Sequence, residues 1–168
     1  ILTEINGLKN LITAYLSYSR PVQAMSSKVR LAEIAGDAAG ILSSRIKSRG
    51  VCLEMDLGAG EVTFDQGHLK QILLNLLSNS LESAGRNGKI LLRSENTDGK
   101  IKISVIDDGP GITEANREKV FEPFFTTKKD GTGLGLAICR KLCNENRAEI
   151  MIEAIEKGCC ISIIKENV

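Results

Sequence analysis

The 168-residue sequence holds a single histidine, almost no net charge and no long apolar run, and each shortage closes off a class of function. Lysine and arginine number 22 against 21 aspartate and glutamate, so the formal net charge is only +1. Nothing in that balance draws the chain to nucleic acid or to an anionic membrane surface. No apolar stretch approaches the ~18 residues of a membrane span, and no signal-peptide pattern opens the chain. Repeats and low-complexity tracts are absent. Five cysteines and one histidine do not make a zinc set: Cys139 and Cys143 lie one helical turn apart, Cys159 and Cys160 are adjacent, and His68 sits elsewhere. An odd number of thiols without a secretory pattern points to free cysteines in a reducing compartment, so the expected location is cytoplasmic. The first residue is Ile1 rather than Met, which reads as a piece of something longer.

What is present is ordinary globular material, 42% hydrophobic and 26% charged, enough for one domain with a sizeable core. Residues 1–20 read as a helix, with Ile1, Ile5, Leu8, Ile12 and Tyr15 at coiled-coil-like spacing and Pro21 as the stop. This is either a helix packed on its own domain or half of a helical hairpin or dimer. Residues 22–29 read as a linker. A helix is expected over 30–48, ending at Gly50. "VCLEMDL" and "EVTF" read as short strands. The stretch "DQGHLKQILLNLLSNSLESAG" reads as a strong helix, with Leu69, Ile72, Leu73, Leu76, Leu77 and Leu81 on one apolar face and Gly85 as its stop. "KILLRSE" and "KIKISVID" follow as two strands around the Asp98-Gly99 turn. Residues 108–131 are loop-rich, a helix is expected over 132–146, and strands near 149–155 and 160–165. Hairpins mixed with helices indicate an α+β fold rather than a doubly wound one.

Three stretches carry chemistry. In the helix at 66–84, Asn75, Asn79 and Glu82 fall at i, i+4 and i+7, on one stripe that Gln71 extends by a turn. That stripe is either the polar side of an amphipathic helix or a site for Mg²⁺, to which an amide oxygen is a suitable ligand. "VIDDGPGI" closes a strand with Asp107, and Gly109 and Gly111 let the backbone turn and approach a flat ligand. It is a plain turn, or a carboxylate placed to accept an exocyclic amine. "FEPFFTTKKDGTGLGLAI" sets Phe121, Phe124 and Phe125 as loop anchors, then Lys128 and Lys129 beside Gly131, Gly133 and Gly135. Successive N–H groups there, with a helix start behind them, make an anion cradle chemically reasonable, and Lys128 suits a phosphate.

Other glycine-loop readings fail. The dinucleotide fingerprint needs a glycine where Leu136 stands and a strand where "TTKKD" stands, and no G-x-x-x-x-G-K-[ST] occurs. Neither H-R-D nor D-F-G is found, so the chain is not a protein kinase of the eukaryotic type.

Taken in order, these segments resemble the catalytic ATP-binding domain of sensor histidine kinases. "NLLSNSLESA" looks like the family's N box, "DDGPGI" its G1 box, "FEPFFTTK" its F box and "GTGLGL" its G2 box. Upstream, "EINGLKNLITAYLSYSRP" is similar to the second helix of the dimerisation domain. The resemblance implies residues 1–21 as the end of that helix and 22–168 as the catalytic domain. The implied fold is the two-layer α/β sandwich shared with gyrase, mismatch-repair ATPases and heat-shock chaperones, a mixed sheet with helices over one face.

By motif position, the resemblance implies that Asn79 coordinates Mg²⁺ and Asn75 supports the phosphate side. Asp107 would receive the adenine amine, with Gly109, Gly111 and Ile112 around the base. Residues from roughly 112 to 131 would form a lid. Thr126, Thr127, Lys128, Gly131, Thr132, Gly133, Leu134, Gly135 and Leu136 would hold the phosphates. Relatives that hydrolyse ATP typically carry a glutamate at the position of Asn75; an amide cannot serve as that base, so transfer to a protein acceptor is favoured. Some positions depart from the pattern. Glu82 stands where many relatives carry Lys or Arg, although nitrogen-regulator kinases often have an acid there. Arg147 and Ala148 replace a usual Gly pair, and Cys159 a usual Thr or Ser.

The phosphoacceptor histidine belongs to the first dimerisation helix, which is not in this chain, and His68 reads as a surface or helix-start residue. The expected partners are that histidine helix in a kinase homodimer and a response-regulator receiver domain, with no nucleic acid and no direct membrane contact from this piece, whether or not missing N-terminal segments anchor the parent to a membrane. The competing readings are a clamp-type ATPase, a non-catalytic docking module and a serine kinase of the anti-sigma type.

Overall fold

The computed structural model describes residues 23–128 and 131–166, so the helix expected over 1–20 lies outside the described residues. Five strands form the main sheet: β2 (Cys52–Leu57), β4 (Lys89–Thr97), β5 (Lys100–Asp107), β6 (Ala148–Glu153) and β7 (Cys159–Glu166), in the order β2-β4-β5-β7-β6. Strand β2 runs parallel to β4 and the other pairs are antiparallel. Helices α1 (Leu31–Arg49), α2 (Gln66–Ser83) and α3 (Gly135–Glu145) supply the second layer, α2 packing against both of the others. The α+β sandwich expected from the sequence is the fold.

Helix α2 shows why these residues form that layer. Asp65 caps it, its carboxylate accepting the His68 N–H at 2.9 Å. All six apolar residues of its stripe are buried. Opposite them, strand register sets the core: Leu92, Val105, Ile161 and Ile152 are paired across the sheet, and Ile103, Ile163 and Ile150 form the next row. Paired residues share a face, so one side of the sheet is aliphatic. The other side carries Arg93, Lys102 and Glu153, where Lys102 bonds Glu153 at 2.8 Å and Arg93 bonds Asp56 at 3.1 Å.

Four expectations are corrected. Part of the linker over 22–29 is strand β1 (Ser27–Arg30), paired antiparallel with β3 (Glu61–Phe64) in a separate two-stranded sheet. Only Val29 of β1 is buried, so the segment has no alternation to read. Helix α3 starts at Gly135 rather than 132, because Gly133 takes a left-handed φ of 67° that no helix continues through. His68 does stand at a helix start but is not on the surface: it is buried, its Nδ1 2.9 Å from Asn146 Nδ2. Asn146 also takes the Asp65 N–H at 2.8 Å and donates to the Leu142 carbonyl, so one amide joins the end of α3 to the start of α2. Finally, Phe121 alone of the three aromatics is buried, beneath the Arg140 guanidinium at 4.4 Å, whereas Phe124 is mostly exposed. The loop is tied there by backbone instead, the Phe124 N–H donating to the Gly133 carbonyl at 3.0 Å.

Candidate functional site

Asp107 is the last residue of β5, in register with Ile90 and Cys159. Those neighbours lie on the aliphatic side, so the register turns the carboxylate toward α2 and leaves it only 5% exposed. Burial pushes this carboxyl above its usual range. Hydrogen bonds from the Ser80 hydroxyl, the Gly109 N–H (3.0 Å) and the Ser83 hydroxyl pull it back in part, while Asp108 adds to the upward push. A buried acceptor held by the Gly109 N–H, with two serine hydroxyls beside it, suits recognition of a ligand N–H.

The backbone around it is packed too closely for side chains. A Cβ at Gly109 would collide with the Ser83 hydroxyl and lie 2.8 Å from Asp107 Oδ1. One at Gly158, where φ is 94°, would run into the Asp107 carbonyl. Gly111 backs onto the Gly158 carbonyl. Beside this floor lies a cavity of about 460 Å³, lined in part by Gly109, Gly111, Ile112, Arg117 and Lys157.

One turn up α2, the asparagines face the start of α3. Asn75 Nδ2 donates to the Gly135 carbonyl at 3.2 Å, and Asn79 Nδ2 lies 4.0 Å from where a Gly135 Cβ would be. Among the described residues no side chain caps α3; Leu134, fully buried, sits at its N-cap and its N–H donates to Thr132 Oγ1 at 3.4 Å. The first N–H groups of α3, from Gly135 and Leu136 onward, therefore carry the positive end of the helix dipole into this space. Upstream, Thr126 Oγ1 accepts the Lys128 N–H at 3.0 Å and the Gly131 N–H reaches the Lys128 carbonyl at 3.3 Å, a self-contained turn. Thr127 and Lys128 are exposed on it. The Lys128 amine is not free: it bonds Glu82 Oε2 at 2.7 Å. Glu82 Oε1 takes Arg45 Nη2 at 3.2 Å, and Arg45 Nη1 donates to Ser78 Oγ at 2.7 Å.

Of the residues singled out in sequence, Asn75 and Asn79 meet the start of α3 at Gly135, Lys128 meets Glu82 on α2, and Asp107 lies at the end of β5 beside Gly109. Four participants were missed. Ser80 and Ser83 are legible only once α2 is known to face β5, and Gly158 only once β7 is paired. Arg45 comes from another helix and carries no local signal.

Residues 64–166 match the family model of histidine kinase-, DNA gyrase B- and HSP90-like ATPases. Sporulation kinase E of Bacillus subtilis (strain 168) is 31% identical over 159 residues, covering 93% of this chain but only 22% of that protein. The signal transduction histidine-protein kinase AtoS of Escherichia coli (strain K12) is also 31% identical, over 92% of this chain and 26% of its own length. The chain therefore spans about a quarter of these relatives. Among solved structures, a nucleotide-free catalytic domain of histidine kinase ThkA superposes with a TM-score of 0.79 at 34% identity, covering 84% of this chain and 95% of that one. ThkA in complex with the response regulator protein TrrA gives 0.85 at 29% identity, over 99% of this chain and 49% of that one.

Proposed function

This chain belongs to the histidine kinase-, DNA gyrase B- and HSP90-like ATPase family, and from that membership we propose that it binds ATP as the cytoplasmic catalytic part of a sensor histidine kinase. In the longer protein it moves the γ-phosphoryl group to a histidine on a dimerisation helix of the same homodimer. A receiver-domain aspartate of a response regulator then takes that group, a reading supported by the ThkA relative, which is seen with such a partner. Residues 1–21 are the end of the second dimerisation helix in this proposal.

The observation that carries the nucleotide reading is Asp107: a buried strand-end carboxylate bonded by the Gly109 N–H and set beside glycines that bear no side chain. It accepts the exocyclic amine of adenine, and Gly109, Gly111 and Ile112 bound the base. The phosphates run along α2 toward α3. There they meet Asn75, Thr126, Thr127, Lys128 and the backbone of Gly131, Thr132, Gly133, Leu134, Gly135 and Leu136. Among the described residues no three His, Cys, Asp or Glu side chains gather into a metal site. One amide oxygen, from Asn79, would be this chain's contribution to a Mg²⁺ ion, a hard cation that takes oxygen donors. Mg²⁺ would supply neutralisation of phosphate charge. Asn75, engaged with the Gly135 carbonyl and unable to act as a base, favours transfer to a protein acceptor over hydrolysis.

Thermal unfolding with ADP, with and without Mg²⁺, tests this. A ligand at about 100 times its Kd adds about 2.7 kcal/mol, which for a domain of this size is a rise of roughly 5–10 °C. The expected result is a Mg²⁺-dependent rise in the native chain that falls by half or more in Asp107→Asn. No rise in the native chain overturns the proposal.

A further inference from the structure

The stripe on α2 that carries Asn75 and Asn79 ends in Glu82, and each oxygen of that carboxylate holds one cation. The two cations are held differently. Arg45 is clamped between helices, bonded to Glu82 and to Ser78 Oγ. Lys128 comes from the exposed turn after the aromatic stretch, and its ammonium reaches back to α2. Burial raises the Glu82 carboxyl, but Lys128 and then Arg45 outweigh it and hold the group below its usual range, so it is charged at neutral pH.

A carboxylate fixed between an arginine and a lysine has the form of an anion site whose anion is part of the protein. Any phosphate brought to Lys128 is also brought to Glu82, one turn from Asn79, and must displace or share with a like charge. Resting on the nucleotide-binding reading above, we propose that Glu82 is a specificity-determining residue. Its carboxylate competes with the nucleotide's phosphates for Lys128, lowering affinity for phosphorylated ligands while leaving recognition of the base untouched. Arg45 acts through Glu82 as the positioning residue that keeps the competitor in place.

Titration calorimetry with ADP and with adenosine, on the native chain, Glu82→Gln, Lys128→Gln and the double variant, tests the competition. Glu82→Gln keeps the shape of a half-exposed side chain and removes its charge. Because exposed charge pairs carry modest energies, the expected gain in ADP affinity is about 2- to 5-fold. Adenosine affinity stays unchanged, the gain disappears in the Lys128→Gln background, and it shrinks at high ionic strength. Glu82→Asp, which keeps the charge, retains the native ADP affinity. An ADP affinity in Glu82→Gln that is unchanged or weaker overturns the proposal, as does a parallel change for ADP and adenosine, the mark of a purely structural role. A native chain that binds neither ligand overturns the nucleotide reading itself, which is a different result.

Discussion

Around Asp107 the protein presents backbone: a buried carboxylate, the Gly109 N–H bonded to it, and glycines packed against the carbonyls of Asp107 and Gly158. Around Lys128 it presents side chains: an exposed turn bonded mostly to itself and an ammonium held by a half-exposed glutamate. The first arrangement cannot shift without breaking β5 and β7. The second can exchange partners without disturbing the core. The proposed nucleotide site would recognise one constant group and hold and release a charged tail, and that division would serve it. Even the carboxylates differ, Asp107 being held above its usual range by burial and Glu82 below it by two cations.

The strongest way to break this comparison is sterics. Gly158→Ala puts a Cβ into the Asp107 carbonyl at a left-handed φ. The expected cost is about 3 kcal/mol or more in urea denaturation. Thr126→Ala, which removes the acceptor of the Lys128 N–H on an exposed turn, should cost under about 1 kcal/mol. Equal losses would show that the two ends are equally rigid.

Next is affinity. Asp107→Asn loses a charged acceptor and should weaken ADP binding about 10- to 100-fold by calorimetry, with the unfolding midpoint of the unliganded chain held or raised. Smaller is the pH response. The raised Asp107 keeps its proton in the native state to higher pH than in the unfolded chain. Its contribution therefore falls as pH climbs from the ordinary aspartate range through the raised value. Glu82 has the opposite sign: its contribution is present above the ordinary glutamate range and is lost as pH falls through the lowered value. Denaturation midpoints against pH should lose the first slope in Asp107→Asn and the second in Glu82→Gln. Least of all, Lys128→Gln should change stability by under about 0.5 kcal/mol, as expected for an exposed pair.

Much of this was written in local pattern. The leucine stripe of α2 has a period of 3.6 and was readable as one buried face, and the alternation of β5 and β7 placed both strands within a residue or so. The candidate site residues stand out in the sequence because turn glycines, amides and a strand-end carboxylate follow one another in an order that resembles the family's boxes. What could not be read depends on contacts far apart in the chain. Strand β1 has one inward residue, Val29, and exists only because β3 pairs with it. His68 looks polar and exposed until Asn146 arrives to take its ring nitrogen. Ser80 and Ser83 look like helix polar filler until β5 brings Asp107 beneath them. Arg147 shows the limit from the other side: the residue in place of a usual glycine keeps the left-handed φ, 53°, that glycine would favour.

The register of β5 also restricts how this protein can change in length. Asp107 faces the helices because it lies an even number of residues from Val105, Ile103 and Ile101, all inward. Deleting one residue inside β5 would set the two parts of the strand out of phase, turning either the aliphatic row or the carboxylate to the opposite side. Insertions at the Asp98-Gly99 turn, or in the 3-10 segments between Ile112 and Phe121, leave that parity intact. Variants that lengthen or shorten the chain should therefore be tolerated in those loops and rejected within β5.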